Sequence, residues 1–171
     1  DIYDSLVTAR PAPLPDGFVK VSLHIMQTVT NHWDLVIHAA SPASPVAYHL
    51  YPTATIESNS VLTPLAVSIA SRSSCRLVFL SSSEVYGNAQ VVPQPETYWG
   101  NVNPIGHRSH YDEGKRFSEA IIASAVRSQY LHSNQAVILR LFNAYGPGMR
   151  LDDGRVIPNF LRHALQGSPL T

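Results

Sequence analysis

The sequence has little cysteine and no long apolar run. A single cysteine, Cys75, stands among 171 residues, which excludes an internal disulfide framework and is typical of a reducing compartment. No stretch approaches the roughly 18 consecutive apolar residues of a membrane-spanning helix. The first ten residues also lack the basic and then apolar order of a signal peptide. We therefore predict a cytoplasmic protein that does not interact with a membrane.

An excess of charge of one sign is also missing. Twelve basic residues balance twelve acidic ones, so the formal net charge is zero. No basic run is present that would neutralise a phosphate backbone, which argues against nucleic acid as a partner. A chain of this length with 44% hydrophobic residues can bury the core of one ordinary domain.

Short apolar segments alternate with longer amphipathic ones. Residues 18–23, 34–40, 76–83 and 136–143 are rich in Val, Ile, Leu and Phe, as covered parallel strands are. Residues 53–73 and 111–130 carry apolar residues at helical spacing, and Pro64 is expected to kink or delay the first of these helices. The alternation predicts an α/β fold with a Rossmann-like, doubly wound parallel sheet.

Polar residues follow three of the predicted strands, at 38–44, 81–84 and 142–148. Because ligands bind beyond the carboxyl ends of such strands, we expect these segments to meet at one edge of the sheet. The irregular segment 86–108 between strand and helix is long for a compact domain, and such loops are usually functional.

Tyr111 and Lys115 suggest a proton-transfer site. Four residues apart on a predicted helix, their side chains are neighbours. A phenol is a weak base at neutral pH, but a nearby ammonium favours the phenolate. The hydroxyl of Ser82 is placed to hold a substrate oxygen whose proton Tyr111 takes. With eight tyrosines in the chain, however, this spacing alone is weak evidence.

Other charged residues fit simpler interpretations. His107 and His110 have no Cys or acidic partner at ligand spacing, so we predict no metal site. Asp112 and Arg116 are expected to form a surface ion pair. Glu119 is expected on a solvated helix face.

Five segments carry a resemblance to a known family: DLVIHAAS, LVFLSSSEVYG, YWGNVNPIGHRSHYDEGKR, LRLFNAYGPGM and DDGRVIPNFLRHALQGSPLT. In order and spacing they resemble the extended short-chain dehydrogenase/reductase family, which contains NAD-dependent epimerases and dehydratases, and most closely its UDP-glucuronate decarboxylase branch. The resemblance runs from about residue 34 to residue 171. It implies a tightly held NAD, a nucleotide-sugar substrate, and a homodimer formed through helices 53–73 and 111–130.

The resemblance also implies roles for individual residues. Tyr111 is the expected general base, Lys115 binds the nicotinamide ribose and lowers the pKa of Tyr111, and Ser82 takes the Ser/Thr position of the triad. The remaining expected residues are Glu84 in catalysis, Asp4, His38, Ala39, Ala40 and Ser81 at the cofactor, and Ser83, Asn143 and Arg155 at the substrate. A packed histidine at the end of a strand is an equally good interpretation of His38.

The residues after Ser82 separate the branches of this family. A 4,6-dehydratase usually has an Asp-Glu pair there, because elimination of water needs an acid on the leaving hydroxyl, whereas this chain has Ser83-Glu84. A 4-epimerase generally has an uncharged residue where Glu84 stands. The resemblance thus favours oxidation at C4, decarboxylation and re-reduction. A dehydratase or 4-epimerase remains the alternative within the family, and a non-catalytic Rossmann-like binding or scaffold protein the alternative of another class.

One family feature is missing. No G-x-x-G-x-x-G turn occurs in the sequence, although such a turn places the pyrophosphate at a helix N-terminus. We therefore expect residues 1–150 to be a partial NAD-binding domain without its first strand and glycine-rich turn, with Asp4 at the end of the family's second strand. Residues 151–171 are expected to begin the substrate-binding domain. The 171-residue polypeptide by itself is expected to be inactive.

Overall fold

The computed structural model describes residues 2–4, 18–20 and 31–170, and its strands form two parallel sheets. Strand β1 (Ile2–Asp4) pairs with β2 (Phe18–Lys20). Strands β3 (Leu35–His38), β4 (Arg76–Ser82) and β5 (Ala136–Leu141) form the second sheet in that order. Of the strand predicted over 18–23, residues 21–23 lie outside the described residues.

Five α-helices and one 3-10 helix connect and follow the strands in the described ranges. They are α1 (Pro45–Leu50), α2 (Pro52–Ser60), α3 (Leu62–Ser73), the 3-10 helix Ser83–Tyr86, α4 (Ser109–Arg127) and α5 (Val156–Leu165). None of these helices is both long enough and apolar enough to cross a membrane. The alternation of strands and helices confirms the predicted α/β class.

The long helix predicted over 53–73 is divided into α2 and α3 at Val61. Pro64 lies in the first turn of α3. N–H groups in the first turn of a helix have no intrahelical acceptor, so the missing N–H of proline costs no hydrogen bond there. The predicted interruption of the helix near Pro64 is thus confirmed, and it takes the form of a break between α2 and α3. Helix α4 corresponds to the helix predicted over 111–130, and begins two residues earlier.

Local signals fix the ends of the helices that precede β4. The Oγ of Ser44 accepts a hydrogen bond from the N–H of Ala47 at 3.2 Å, and Pro45 is the first residue of α1. This combination of N-cap and proline is typical of a helix start. Helix α3 ends at Ser74, whose φ of 51° is the left-handed conformation common at helix C-termini.

The core lies between the three-stranded sheet and helices α3 and α4. Leu77 and Phe79 of β4 are fully buried. They contact apolar residues of both helices, among them Val67, Ala70, Ile122 and Ala125. The opposite face of the sheet is apolar but more open, since Ile37 is 59% exposed and Leu141 50% exposed.

The segment between the 3-10 helix and α4 is irregular, as predicted, but it is anchored at several points. Gly87, with a φ of +60°, forms a parallel bridge with Asn101. Arg116 of α4 donates hydrogen bonds to the carbonyls of Val85 at 2.9 Å and Trp99 at 2.6 Å.

The predicted Asp112–Arg116 ion pair is wrong. Arg116 instead pairs with Glu113, one turn away on α4, at 3.4 Å. The guanidinium of Arg116 points toward the carbonyls of Val85 and Trp99 and not toward Asp112. Asp112 lies 3.7 Å from Arg108 instead.

Replacing Phe79 tests the core. We expect Phe79→Ala to lower the free energy of unfolding by about 3–5 kcal/mol, because a buried ring leaves a cavity that its neighbours fill only in part. Urea denaturation of the 171-residue chain measures this. As a control, Ile105→Ala removes a side chain that is 91% exposed and should change the free energy by about 0.5 kcal/mol or less. Similar losses in the two variants would contradict this assignment of the core.

Candidate active site

A cleft of about 470 Å³ opens where the three-stranded sheet ends. Residues that follow β3 and β5 line it together with the end of β4, so the predicted convergence of the strand ends is confirmed. Helix α4 and the start of α5 form further walls. The side chains discussed below include lining residues from each of these elements: Ala39, Tyr48, Ser82, Glu84, Arg108, Tyr111, Lys115, Asn143 and Arg155.

Ser82 and Tyr111 both line this cleft, although Ser82 ends β4 and Tyr111 lies in the first turn of α4. A side-chain hydrogen bond from Ser82 lowers the pKa of Tyr111. The Oγ of Ser82 also accepts a hydrogen bond from the N–H of Glu84 at 3.2 Å, which caps the 3-10 helix. Tyr111 is only 5% exposed, so its phenol is held in a largely dry environment.

The pKa of Tyr111 depends mainly on the burial of its phenol. Burial raises the pKa of Tyr111, and the hydrogen bond with Ser82 opposes this only in part. The Nζ of Lys115 lies 5.9 Å from the centroid of the Tyr111 ring. Desolvation of the phenolate is therefore the larger effect in this structure, and the expectation that Lys115 lowers the pKa of Tyr111 stays a prediction.

Lys115 is itself buried, with 4% of its surface exposed. Its Nζ donates a hydrogen bond to the carbonyl of Leu80 at 2.9 Å and lies 4.9 Å from the centroid of the Phe79 ring. Burial lowers the pKa of Lys115 to about 8. In the described part of the chain, no carboxylate lies within ion-pair distance of this ammonium.

Glu84 forms an ion pair with Arg108 at 2.5 Å. The guanidinium also lies 3.7 Å from Asp112 and 5.7 Å from the centroid of the Tyr48 ring. Glu84 and Arg108 line the cleft and also a second cavity of about 520 Å³. Their ion pair thus forms part of the wall between the two cavities. Sequence reasoning selected Glu84 but missed Arg108, which has no distinguishing sequence signal.

Tyr48 is a second residue that sequence reasoning missed. Its ring stacks on that of Tyr111, with centroids 4.8 Å apart and planes 17° apart, and Tyr48 is only 2% exposed. The helix start at Ser44 and Pro45 sets the position of this tyrosine on α1. A stacked neighbour limits rotation of the Tyr111 ring.

His38 lies behind the cleft rather than on its wall. Its Nε2 is 3.0 Å from the Oγ1 of Thr63, and its ring packs on that of Phe79 with centroids 5.2 Å apart. Burial, with the nearby charge of Lys115, lowers the pKa of His38 to about 4. This placement fits the packed histidine at the end of a strand and gives no support for a side-chain contact with a cofactor.

The other residues expected at the cofactor are dispersed. Ala39 lines the cleft, whereas Ala40 does not. Ser81 also lines it, but its hydroxyl donates a hydrogen bond at 2.6 Å to Glu119. Asp4 is the last residue of β1, and its side chain lies outside the described part of the structure.

Two of the three residues expected at the substrate line the cleft. Asn143 follows β5, and Arg155 immediately precedes α5. The guanidinium of Arg155 donates a hydrogen bond to the carbonyl of Ala43 at 2.9 Å and lies 3.2 Å from Asp153. Ser83, the first residue of the 3-10 helix, does not line the cleft, so its expected contact with the substrate has no structural support.

The expectation that Glu119 lies on a solvated helix face is wrong. Glu119 accepts the hydrogen bond of Ser81 and pairs with Arg140 of β5 at 2.8 Å. No group of three or more His, Cys, Asp or Glu side chains in the described ranges is arranged to hold a metal ion.

Gly114 allows α4 to lie close to α2. A Cβ at this position would lie 3.2 Å from the Nδ2 of Asn59, which is tighter than ordinary contact. Asn59 is fully buried and accepts a hydrogen bond from the Oγ of Ser118 at 3.2 Å. Helix α4 therefore packs on α2 at the level of the glycine between Tyr111 and Lys115.

A parallel α/β sheet whose carboxyl edge holds a Ser, a Tyr and a Lys four residues after the Tyr defines the short-chain dehydrogenase class of site. Comparison with known families agrees: residues 14–171 match the NAD dependent epimerase/dehydratase family. The chain belongs to this family. The predicted resemblance is thereby confirmed, as is NAD as the cofactor on which the family depends.

Curated relatives are UDP-glucuronic acid decarboxylases. The chain is 48% identical over 138 residues to UDP-glucuronic acid decarboxylase 5 of Arabidopsis thaliana, covering 81% of this chain and 40% of that protein. It is 40% identical over 156 residues to UDP-glucuronic acid decarboxylase 1 of Xenopus tropicalis, covering 91% of this chain and 36% of that protein. The chain thus spans about 40% of the length of such relatives. They belong to the branch that the sequence motifs resemble.

Solved structures confirm the Rossmann-like fold. The UDP-glucose 4-epimerase of Thermotoga maritima superposes with a TM-score of 0.80 at 22% identity, covering 97% of this chain and 55% of that chain. A dTDP-glucose 4,6-dehydratase of Streptomyces venezuelae, solved with NAD bound, gives a TM-score of 0.70 at 23% identity, covering 90% of this chain and 46% of that one.

Protonation of His38 should destabilise the protein in acid. The pKa of this imidazole is about 4 in the folded protein and 6.5 for an ordinary histidine. Between these pH values the unfolded chain binds a proton that the folded chain does not, so the free energy of unfolding falls as the pH drops. The full effect of this difference is about 3 kcal/mol.

Urea denaturation of wild type and His38→Gln at several pH values measures this effect. The stability advantage of wild type over the variant should shrink by about 3 kcal/mol between pH 6.5 and pH 4. Subtracting the stability of the variant from that of wild type removes the contributions of other titratable groups. One of these is Asp112, whose pKa burial raises to about 6, so that its contribution to stability changes with pH in the opposite direction. Parallel stability curves for the two proteins would show that His38 is not buried in its neutral form.

Proposed function

We propose that the protein is an NAD-dependent nucleotide-sugar decarboxylase that converts UDP-glucuronate to UDP-xylose. The observation that carries the proposal is the convergence of Ser82, Tyr111 and Lys115 with the Glu84–Arg108 ion pair in one cleft. The names of the curated relatives give the substrate. The identity of Ser83 favours decarboxylation over dehydration, because a serine does not supply the acid that a dehydratase needs at this position.

The cleft has the side chains to hold NAD. Lys115 is a buried cation without a carboxylate partner among the described residues, which suits the two hydroxyls of the nicotinamide ribose as acceptors. Ala39, the residue after β3, adds a small apolar side chain to the cleft wall. When bound, NAD supplies the oxidation of the sugar at C4 and the later return of the same two electrons.

Tyr111 and Ser82 serve the oxidation at C4. The phenolate of Tyr111 takes the proton of the C4 hydroxyl as the C4–H bond breaks, and the hydroxyl of Ser82 holds the C4 oxygen in reach. Because burial opposes the phenolate, a positive charge in the cleft is needed to favour it. Lys115, with a pKa of about 8, is mainly charged at neutral pH and contributes part of that charge.

Carbon dioxide is lost once C4 is a ketone. The C6 carboxylate is then β to a carbonyl, so the electrons of the C5–C6 bond pass into an enolate as carbon dioxide leaves. The enolate takes a proton at C5 to give the 4-keto pentose, and Tyr111 returns its proton to the C4 oxygen when the ketone is reduced. Glu84 and Arg108 line the same cleft and offer one acidic and one basic group for a carboxylate substrate.

We further propose that residues from 151 onward begin a substrate-binding domain. The support is that Arg155 and the first residues of α5 line the same cleft as residues after β3 and β4, and that Arg155 donates a hydrogen bond to the carbonyl of Ala43. Residues before 151 correspondingly form the cofactor side.

Replacing the general base tests the activity. In the full-length protein incubated with UDP-glucuronate, Tyr111→Phe should reduce formation of carbon dioxide and UDP-xylose by about 10²–10⁴-fold, the usual contribution of a positioned general base. Ser82→Ala should reduce it in the same direction. Tyr130→Phe is the matched control, because Tyr130 is 51% exposed and does not line the cleft.

The products separate the competing functions. Formation of UDP-galacturonate without carbon dioxide would indicate a 4-epimerase. A 4-keto-6-deoxy product from a neutral UDP-hexose would indicate a 4,6-dehydratase. No turnover and no NAD binding by the full-length protein would favour a binding or scaffold protein.

We also propose that the full-length protein is a cytoplasmic homodimer that associates through α2 and α4. Exposed apolar side chains on these helices support the interface, since Ile56 is 49% exposed and Phe117 is 52% exposed. The free thiol of Cys75 supports a reducing compartment. Microscopy of the tagged protein tests the location, and a signal confined to a membrane-bound organelle would contradict it.

A charge in the interface tests the dimer. Phe117→Glu should convert a dimer to a monomer, because it buries an unpaired charge at the contact. Light scattering coupled to gel filtration measures the mass. Ile105→Glu, in the loop before α4, is the control and should leave the dimer intact. A monomeric wild-type protein, or a dimer unaffected by Phe117→Glu, would contradict the proposal.

A further inference from the structure

Three consecutive residues at the end of β4 each bind helix α4. The carbonyl of Leu80 accepts a hydrogen bond from Lys115 at 2.9 Å. The hydroxyl of Ser81 donates to Glu119 at 2.6 Å, and that of Ser82 is hydrogen-bonded to Tyr111. The partners on α4 are spaced by four residues, so they lie along one face of the helix. This row of contacts sets the position of α4 relative to the end of β4.

Arg140 of β5 fixes the last of these contacts. Its Nε lies 3.0 Å from Oε1 and its Nη2 2.8 Å from Oε2 of Glu119, a two-point arrangement that defines the orientation of the carboxylate. Arg140 is the partner of Ser81 in the register of β4 and β5. The Glu119 carboxylate is therefore held by residues of two neighbouring strands, and its side chain is only 14% exposed.

The same guanidinium reaches the segment that contains Glu84. Its Nη1 donates to the hydroxyl of Tyr86 at 3.1 Å and to the carbonyl of Glu96 at 2.9 Å. It also lies 4.9 Å from the centroid of the Tyr86 ring. One side chain thus connects the sheet, helix α4, the 3-10 helix and the long loop before α4.

We propose that Glu119 is a positioning residue for Tyr111. Held by Arg140, it binds Ser81 and so fixes the end of β4, with the neighbouring Ser82, relative to Tyr111 on α4. We call Ser81, Glu119 and Arg140 the tether. The inference rests on the proposed function for the role of Tyr111 in catalysis, and it adds residues that do not touch the reacting atoms.

A purely structural ion pair would have a different signature. Removing it would lower stability without a specific effect on the Tyr111 phenol. The hydrogen bond with Ser82 lowers the pKa of Tyr111, so loss of the tether should raise that pKa further. Removal of a negative charge acting only through space would instead lower the pKa of a phenol. The sign of the change therefore separates the two cases.

The experiment is a pH titration of Tyr111 in the full-length protein. Tyrosinate difference absorption is recorded against pH, and the curve of Tyr111→Phe is subtracted to remove the other tyrosines. Glu119→Ala and Ser81→Ala should both raise the pKa of Tyr111, in the same direction as Ser82→Ala. Glu119→Gln keeps an oxygen that accepts the hydrogen bond of Ser81, so its effect should be smaller.

Steady-state kinetics with UDP-glucuronate give a second measurement. Glu119→Ala should lower kcat by about 10–100-fold, because a small misplacement of a catalytic group has effects of this size. KM should change by less than about twofold, since Glu119 and Arg140 do not line the cleft.

Two control variants separate positioning from loss of structure. Glu113→Gln removes another carboxylate of α4, one that is 38% exposed and paired with Arg116, and should change neither the pKa of Tyr111 nor kcat. Ile122→Val makes a small cavity in the core beside α4. It should lower the thermal midpoint and leave the titration of Tyr111 unchanged.

An unchanged or lowered pKa of Tyr111 in both Glu119→Ala and Ser81→Ala would overturn the proposal. The titration needs no substrate. If the wild-type protein fails to release carbon dioxide from UDP-glucuronate, the proposed function fails, while the titration still decides whether the tether positions Tyr111.

Discussion

The packing of helix α4 on the end of strand β4 is the contact on which the site depends. Phe79 is buried beneath Lys115, and the adjoining residues of β4 form hydrogen bonds with the helix. Gly114 and the break between α2 and α3 allow the helix to approach from the other side. Because these contacts come from apolar packing and from main-chain and side-chain hydrogen bonds together, a shift of α4 would move the Tyr and the Lys as one unit away from Ser82.

Burial shifts the pKa values of two titratable groups that line the site, Tyr111 and Lys115. Placing Tyr111 and Lys115 in a largely dry cleft raises the pKa of the phenol and lowers that of the ammonium, so each charged form is disfavoured relative to water. The chain offsets this in part with the hydrogen bond between Ser82 and Tyr111. The pKa values of both groups therefore depend on any charge that enters the cleft.

Around this centre the charged residues divide into two ion pairs with different surroundings. The Glu84–Arg108 pair lines the cleft, where a substrate carboxylate would meet both signs of charge. The Glu119–Arg140 pair connects β5, α4 and the long loop. Buried or half-buried ion pairs contribute little net stability, because desolvation of the charges offsets their attraction. Their effect here is better understood as fixing the geometry of the residues that they connect.

Strand and helix periodicity in the sequence predicted the parallel α/β fold, and helix spacing placed Tyr111 beside Lys115, because both are local properties of the chain. The family, and the place of Ser82 beside these residues, came from motifs that resemble known members. The sequence also placed the break near Pro64 correctly. Only the tertiary structure decided that Tyr48 stacks on Tyr111, that Arg108 pairs with Glu84, and that Glu119 binds Ser81 and Arg140 rather than water. These contacts join segments distant in sequence, so no local pattern encodes them. The net shift in the pKa of Tyr111 also depends on the tertiary structure: helix spacing predicts the neighbouring lysine, whereas burial, the larger effect, depends on how the domain packs.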